Sequence, residues 1–126
     1  MLKIIDEKIY LRRGDDEVLE VTLNNTDGST AEIGENETLT LTVRELPVSE
    51  SPIIFTTTSA PGSNRIVISH ADTAEAPYGE YSADVQMMTA DGLRKTVWPD
   101  FDEDNLPKAK ASNLKNFILL PEVTMV

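Results

Sequence analysis

The stretch "ETLTLTVREL", residues 37–46, decides the fold class. Leu39, Leu41 and Val43 alternate with Thr38, Thr40, Thr42 and Arg44. A period of two puts the apolar side chains on one face of a strand and the polar ones on the other. Threonine and valine are β-branched, stiff about χ1 and suited to a pleated surface. The stretch therefore predicts a half-buried strand. The same period extends outward in both directions. In "EVLEVTLN" (17–24), Leu19, Val21 and Leu23 oppose Glu20 and Thr22. "RIVIS" (65–69) offers Ile66 and Ile68, and "EYSADVQMMT" (80–89) sets Tyr81, Ala83, Val85 and Met87 against Glu80, Ser82, Asp84 and Gln86. "KIYLR" (8–12) and "IIFTTT" (53–58) are shorter candidates. "LRKTVW" (93–98) follows Asp91-Gly92, a strong hairpin signal. "FILLPEVTMV" (117–126) reads as a mostly buried run, with Pro121 marking an edge or a bend.

Turn residues separate these runs, at Asp27-Gly28 and Pro61-Gly62 among others. Many short strands divided by such turns predict an all-β sandwich or barrel, not alternating βαβ units. No window of a dozen residues carries a helical stripe. One helical turn is expected at "HADTAEA" (70–76), with Asp72 able to cap it.

The chain has 126 residues, which predicts a single domain over 1–126. A chain of this size buries roughly two thirds of its unfolded surface, enough for a core without staples. It has no cysteine, which excludes disulfides and thiolate chemistry. The beginning, "MLKIIDEKIY", lacks the long apolar run and small-residue cleavage site of a signal peptide. No stretch approaches the roughly 20 apolar residues of a membrane-spanning helix. The net charge of -11 argues against nucleic acid as a partner, because phosphate binding needs Lys and Arg. Solubility is the ordinary consequence of such acidity.

Arg13-Gly14-Asp15 is a tripeptide that integrins read, and Gly14-Asp15-Asp16 occurs in some polymerase sites. Both lie between "KIYL" and "EVLEV", where Gly permits positive φ and Asp caps its own turn. The stretch predicts a strand-to-strand corner. Asp100, Asp102 and Asp104 alternate as in the opening of a calcium loop. The sixth position is Asn105 rather than Gly, and the twelfth is Ala111 rather than Glu, so the expectation is a solvated acidic loop and no bound metal. His70, the only histidine, has no second His or Cys beside it and reads as a surface residue at a strand end. Asn24-Asn25-Thr26 and Asn36-Glu37-Thr38 match the glycosylation acceptor pattern by chance. No phosphate-cradling glycine loop is present, no catalytic group is assigned and no cofactor is expected. Trp98 is the sole Trp, and its default role is an anchor in a core or interface.

Two resemblances add to this. In "ADTAEAPYGEYSADV" (71–85), Asp72-Thr73-Ala74 precedes Gly79-Glu80-Tyr81-Ser82-Ala83. This is similar to immunoglobulin-type sandwiches, with Tyr81 in the tyrosine-corner role and Ala83 at the position of the second core Cys. The resemblance implies an immunoglobulin-like antiparallel β-sandwich of about 7–9 strands.

A second resemblance covers nearly the whole chain. Arg13-Gly14-Asp15, Asp27-Gly28, "TLTLTVR", Asp72-Thr73, Gly79-Glu80-Tyr81-Ser82-Ala83-Asp84, Asp91-Gly92, Lys95-Thr96-Val97 and Glu122-Val123-Thr124 follow one another in order. That order resembles the N-terminal immunoglobulin-like domain of phage baseplate upper proteins and related prophage tail proteins. Gly14, Asp15, Asp72, Gly79, Tyr81, Asp91 and Gly92 would be its structural positions. The family passes quickly through Gly-x-Phe into its last strand, whereas this chain has "PDFDEDNLPKAKASNLKN" at 99–116, an insertion acidic first and then basic. The resemblance implies a non-enzymatic structural protein of the virion, made in the bacterial cytoplasm. It would bind other phage tail or baseplate proteins and form homo-oligomers by protein–protein interaction, without nucleic acid or membrane. Its contact surfaces would be Trp98, Phe101 and Asp102 with the inserted loop, and the exposed edge strands. The alternative is a carbohydrate- or cell-surface-binding sandwich using Trp98 or Tyr78, assisted by calcium at 100–104.

Overall fold

The computed structural model describes residues 2–5, 8–24, 27, 29–46, 50–98 and 115–121. The elements in chain order are β1 (Lys3–Ile5), β2 (Lys8–Arg12), β3 (Glu17–Glu20), β4 (Leu23–Asn24), β5 (Thr30–Ala31), β6 (Thr38–Arg44), β7 (Ile53–Thr58), β8 (Arg65–Ile68), α1 (His70–Thr73), β9 (Gly79–Met88), β10 (Arg94–Trp98) and β11 (Phe117–Leu120). The fold is all-β, as the period-two pattern predicts. The larger sheet runs β1-β2-β11-β9-β6-β7, with β10 also on β9. β3 and β8 form a two-stranded sheet, and β4 and β5 a short ribbon.

The two main sheets share one core. Leu39, Leu41 and Val43 of β6 are fully buried, as their spacing requires. Tyr81, Ala83 and Val85 of β9, Ile9 and Leu11 of β2, and Phe117 and Leu119 of β11 join them from the larger sheet. Leu19, Ile66 and Ile68 come from the smaller one. Phe55 and Phe117 meet edge to face, with ring centroids 5.7 Å apart and planes at 69°. That geometry sets the positive rim of one ring against the negative face of the other.

Most pairing is antiparallel, but β11 runs parallel to β2, from Phe117 opposite Ile9 to Leu120 opposite Arg12. β11 lies between β2 and β9, so the segment expected as a mostly buried run alternates instead. Phe117 and Leu119 are buried while Leu120 is exposed. Pro121 follows the last ladder pair.

Elsewhere the chain departs from the pattern in two places. "EVLEVTLN" is not one strand: β3 stops at Glu20, and Leu23-Asn24 turns away to pair with Thr30-Ala31. Asp72 does not occupy the cap position of α1. Ser69 does, and its N–H donates to the Asp72 carboxylate at 2.8 Å. The aspartate therefore closes the turn from its third residue, the reciprocal half of a capping box.

Candidate interaction surface

The Arg13-Gly14-Asp15 stretch carries the chain from β2 in the larger sheet to β3 in the smaller one. Gly14 has φ of 84°, which a residue with a Cβ rarely adopts. Its N–H donates to the Thr73 hydroxyl at 2.9 Å. Thr73 is fully buried, so this bond pins the corner to α1. The Arg13 N–H donates to Leu120 O at 2.9 Å and extends the parallel ladder by one bond. The guanidinium donates to the Tyr78 hydroxyl at 2.9 Å and lies 4.2 Å from the centre of the Tyr78 ring. The arginine is thus committed to its own chain and is not held out for a receptor.

Next to this corner, Asp16 accepts the His70 backbone N–H at 2.6 Å and faces His70 Nδ1 at 2.9 Å. These bonds hold the Asp16 carboxyl below its ordinary pKa, the backbone N–H contributing most. His70 opens α1 just beyond the end of β8, and both side chains are exposed.

β9 and the turn after it hold Gly79, Tyr81, Asp91 and Gly92. The Tyr81 hydroxyl donates to Pro77 O at 2.5 Å, four residues upstream, while its ring is buried. Burial, and then the Glu45 charge, pushes the Tyr81 hydroxyl pKa up. Gly79 opens β9, and Asp91-Gly92 turns β9 into β10 with Gly92 at φ of 87°. Asp91 accepts a hydrogen bond from the Thr89 hydroxyl, which lowers its pKa.

Beyond that hairpin, β10 and β11 lie along the same edge of β9, one after the other. β10 pairs Met88 to Val85, and β11 pairs Tyr81 to Gly79. They behave as two halves of one interrupted strand. The gap falls at Ala83, and the Asn116 side chain fills it. The Ala83 N–H donates to Asn116 Oδ1 at 2.7 Å, and Asn116 Nδ2 donates to Ala83 O at 2.9 Å. Lys115, two residues before β11, donates to Glu45 O, just beyond the end of β6, at 2.5 Å. Sequence reasoning named neither residue.

Trp98 ends β10, partly buried and packed against the core. An anchoring role is consistent with that packing. Phe101 and the aspartates Asp100, Asp102 and Asp104 lie outside the described residues, as does most of 99–116. Among the described residues no group of three or more His, Cys, Asp or Glu side chains could hold a metal ion.

The outer face of the larger sheet is polar. Thr40 and Thr58 pair hydroxyls at 2.9 Å, and Thr42 and Thr56 at 3.4 Å. Farther along β9 this face closes in. Ser82 is buried with its hydroxyl unpaired among the described residues. Burial raises the Asp84 pKa, against a smaller opposing effect of Arg44. β7 borders the face and presents exposed Ile53, Thr56 and Thr58. The loop side of the smaller sheet holds an open groove of about 340 Å³ lined by Val21, Ile33, Glu32 and Asn64.

This chain matches no protein-family model, no curated protein and no solved structure.

Proposed function

We propose that this chain is a non-enzymatic structural module of a phage or prophage tail, associated with the baseplate or tail fibre. It acts by surface complementarity with other tail proteins and with itself, and it works in the virion after synthesis in the bacterial cytoplasm. In this reading the two sheets are those of an immunoglobulin-like sandwich and Tyr81 is its tyrosine corner.

One observation carries the reading. Two motifs of the baseplate pattern, far apart in sequence, are joined by a hydrogen bond from Gly14 N–H to Thr73 Oγ1. The motif order that resembles baseplate upper proteins is thus also an order of mutually supporting corners. Two further motifs sit at strand boundaries: Gly79 to Tyr81 opens β9, and Asp91-Gly92 makes the β9–β10 hairpin. Edge strands and exposed apolar side chains such as Leu46, Ile53 and Leu93 suit a part that works by contact.

The test is peptide mass spectrometry of phage particles purified after prophage induction in the source organism. The expected result is this chain at fixed stoichiometry with tail proteins. Its presence only in the cell fraction, with particles abundant, would overturn the proposal and bring the carbohydrate-binding alternative forward.

A further inference from the structure

The β4–β5 ribbon has only two ladder pairs, Leu23 opposite Ala31 and Asn24 opposite Thr30. One step farther, Thr22 would face Glu32, and then Val21 would face Ile33. They do not pair. The two segments part there, and these four residues line the open groove of about 340 Å³ on the loop side of the smaller sheet. Asn64, just before β8, closes the groove and grips the backbone of Val21. Its C=O accepts the Val21 N–H at 2.9 Å, and its Nδ2 donates to Val21 O at 3.3 Å. One wall of the groove is thus held by the fold itself.

The groove is amphipathic. Val21 and Ile33 are half-buried and pack against the hydrophobic core, so they form an apolar floor. Thr22, Thr30, Glu32 and Asn64 are exposed and set a polar rim. Among the described residues, Glu32 is the only ionisable group in the lining. The charge beside it has the same sign. The turn at 34–37 packs on Gly62, where a Cβ would come 3.5 Å from the Glu35 Cα, and Glu35 is exposed. Glu37 of that turn is spent on the Gly34 N–H, which it accepts at 2.7 Å. Arg65, the residue after Asn64, pairs with Glu20 at 3.7 Å and does not line the groove.

An apolar floor under a carboxylate rim selects a ligand with an apolar stem and a cationic head. Lys and Arg side chains have this form, since their methylenes lie along apolar surface while the charged end stays wet. A carboxylate or phosphate would be repelled by Glu32. A bare metal ion gains nothing from Val21 and Ile33, and it needs more oxygen ligands than one carboxylate supplies.

We propose that this groove docks a Lys or Arg side chain presented by a partner protein. The stem lies on Val21 and Ile33, and the head meets the Glu32 carboxylate, with the Thr22 and Thr30 hydroxyls as further acceptors. The volume falls at the low end of the range of about 300–1,000 Å³ for small-ligand sites, which suits a single side chain. The net charge of -11 attracts a basic segment from a distance and the groove fixes where it lands. The inference rests on the assembly reading above and states the chemistry of one partner.

Proton–nitrogen correlation NMR on the full chain tests it. The probes are capped tripeptides, Gly-Lys-Gly, Gly-norleucine-Gly and Gly-Glu-Gly, and methylammonium as the head without its stem. The expected result is saturable shifts at the amides of Val21, Thr22, Glu32, Ile33 and Asn64 with the lysine peptide, weakened by salt. The other three probes bind at least about tenfold more weakly. Glu32→Gln keeps the parent Tm, because the residue is exposed, and weakens the lysine peptide by about tenfold. Shifts that miss the groove, or that spread over the acidic surface without saturating, overturn the proposal. So does norleucine binding as tightly as lysine, or an affinity that Glu32→Gln leaves unchanged. A virion protein whose groove takes no lysine overturns this inference alone and leaves the tail reading standing. A groove that takes lysine, in a chain absent from purified particles, supports the docking and overturns the tail reading.

Discussion

The carboxamide of Asn116 stands opposite Ala83 as a peptide group would. It accepts the Ala83 N–H at 2.7 Å and donates to the Ala83 C=O at 2.9 Å. Asn116 is 7% exposed, so neither backbone group has water as a substitute. Only Asn and Gln carry a side-chain donor and acceptor with the polarity of an amide.

Asn116→Ala leaves the Ala83 N–H and C=O buried and unpaired, at a cost of about 1–3 kcal/mol. Asn116→Asp is expected to be worse than a simple loss of one bond at neutral pH, because a carboxylate oxygen would then face the Ala83 carbonyl oxygen. Urea denaturation of both variants measures this. A midpoint unchanged in Asn116→Ala would show that the amide bonds contribute nothing.

Tyr81→Phe keeps the buried ring and removes the hydroxyl that reaches Pro77 O. The expected loss is about 1 kcal/mol, the net worth of one such bond. Thermal melts of the two proteins side by side would show it as a lower Tm.

Ser82→Ala should have the opposite sign. Its buried hydroxyl has no partner among the described residues, so removing it relieves an uncompensated desolvation. Stability is expected to stay level or rise by up to about 1 kcal/mol. A clear loss would reveal a bond to that hydroxyl.

Asp84 sets a pH dependence. Burial raises its folded-state pKa above the unfolded value, so the folded state holds this proton more tightly. Its contribution is then fully favourable below the unfolded pKa and is lost as pH rises through the folded pKa. Asp84→Asn should therefore be more stable than the parent at pH 7, with the gap closing as both are acidified. Asp16 and Asp91 work in reverse, since hydrogen bonds lower their pKa values. Their contribution is present above the unfolded pKa and disappears as pH falls through the folded values. Melting curves from pH 7 down to about pH 2 separate the two trends, since Asp84 acts at the higher end of this carboxylate range.

The period-two reading worked where one face of a strand is dry. Leu39, Leu41, Val43, Ile66 and Ile68 are all buried because the spacing that names the strand also names its face. It failed at Val21, where tertiary packing ends β3 and sends Leu23 into a separate ribbon. Turn chemistry was legible at Gly14 and Gly92, whose positive φ is a local demand. The role of Asn116 was not, because a side chain bonding within the plane of a sheet depends on a strand far away in sequence.

The parallel pairing of β2 with β11 has a consequence for the birth of the protein. Ile9 and Leu11 enter the core beside Phe117 and Leu119, which the ribosome adds more than one hundred residues later. Until then β2 can pair with β1 but lacks its other neighbour, and the Gly79–Tyr81 end of β9 stays open beyond β10. During translation the larger sheet is therefore an unfinished surface with two sticky borders. Pairing of β11 covers both borders at once, and it shortens the time that they are open to neighbours on the same messenger RNA.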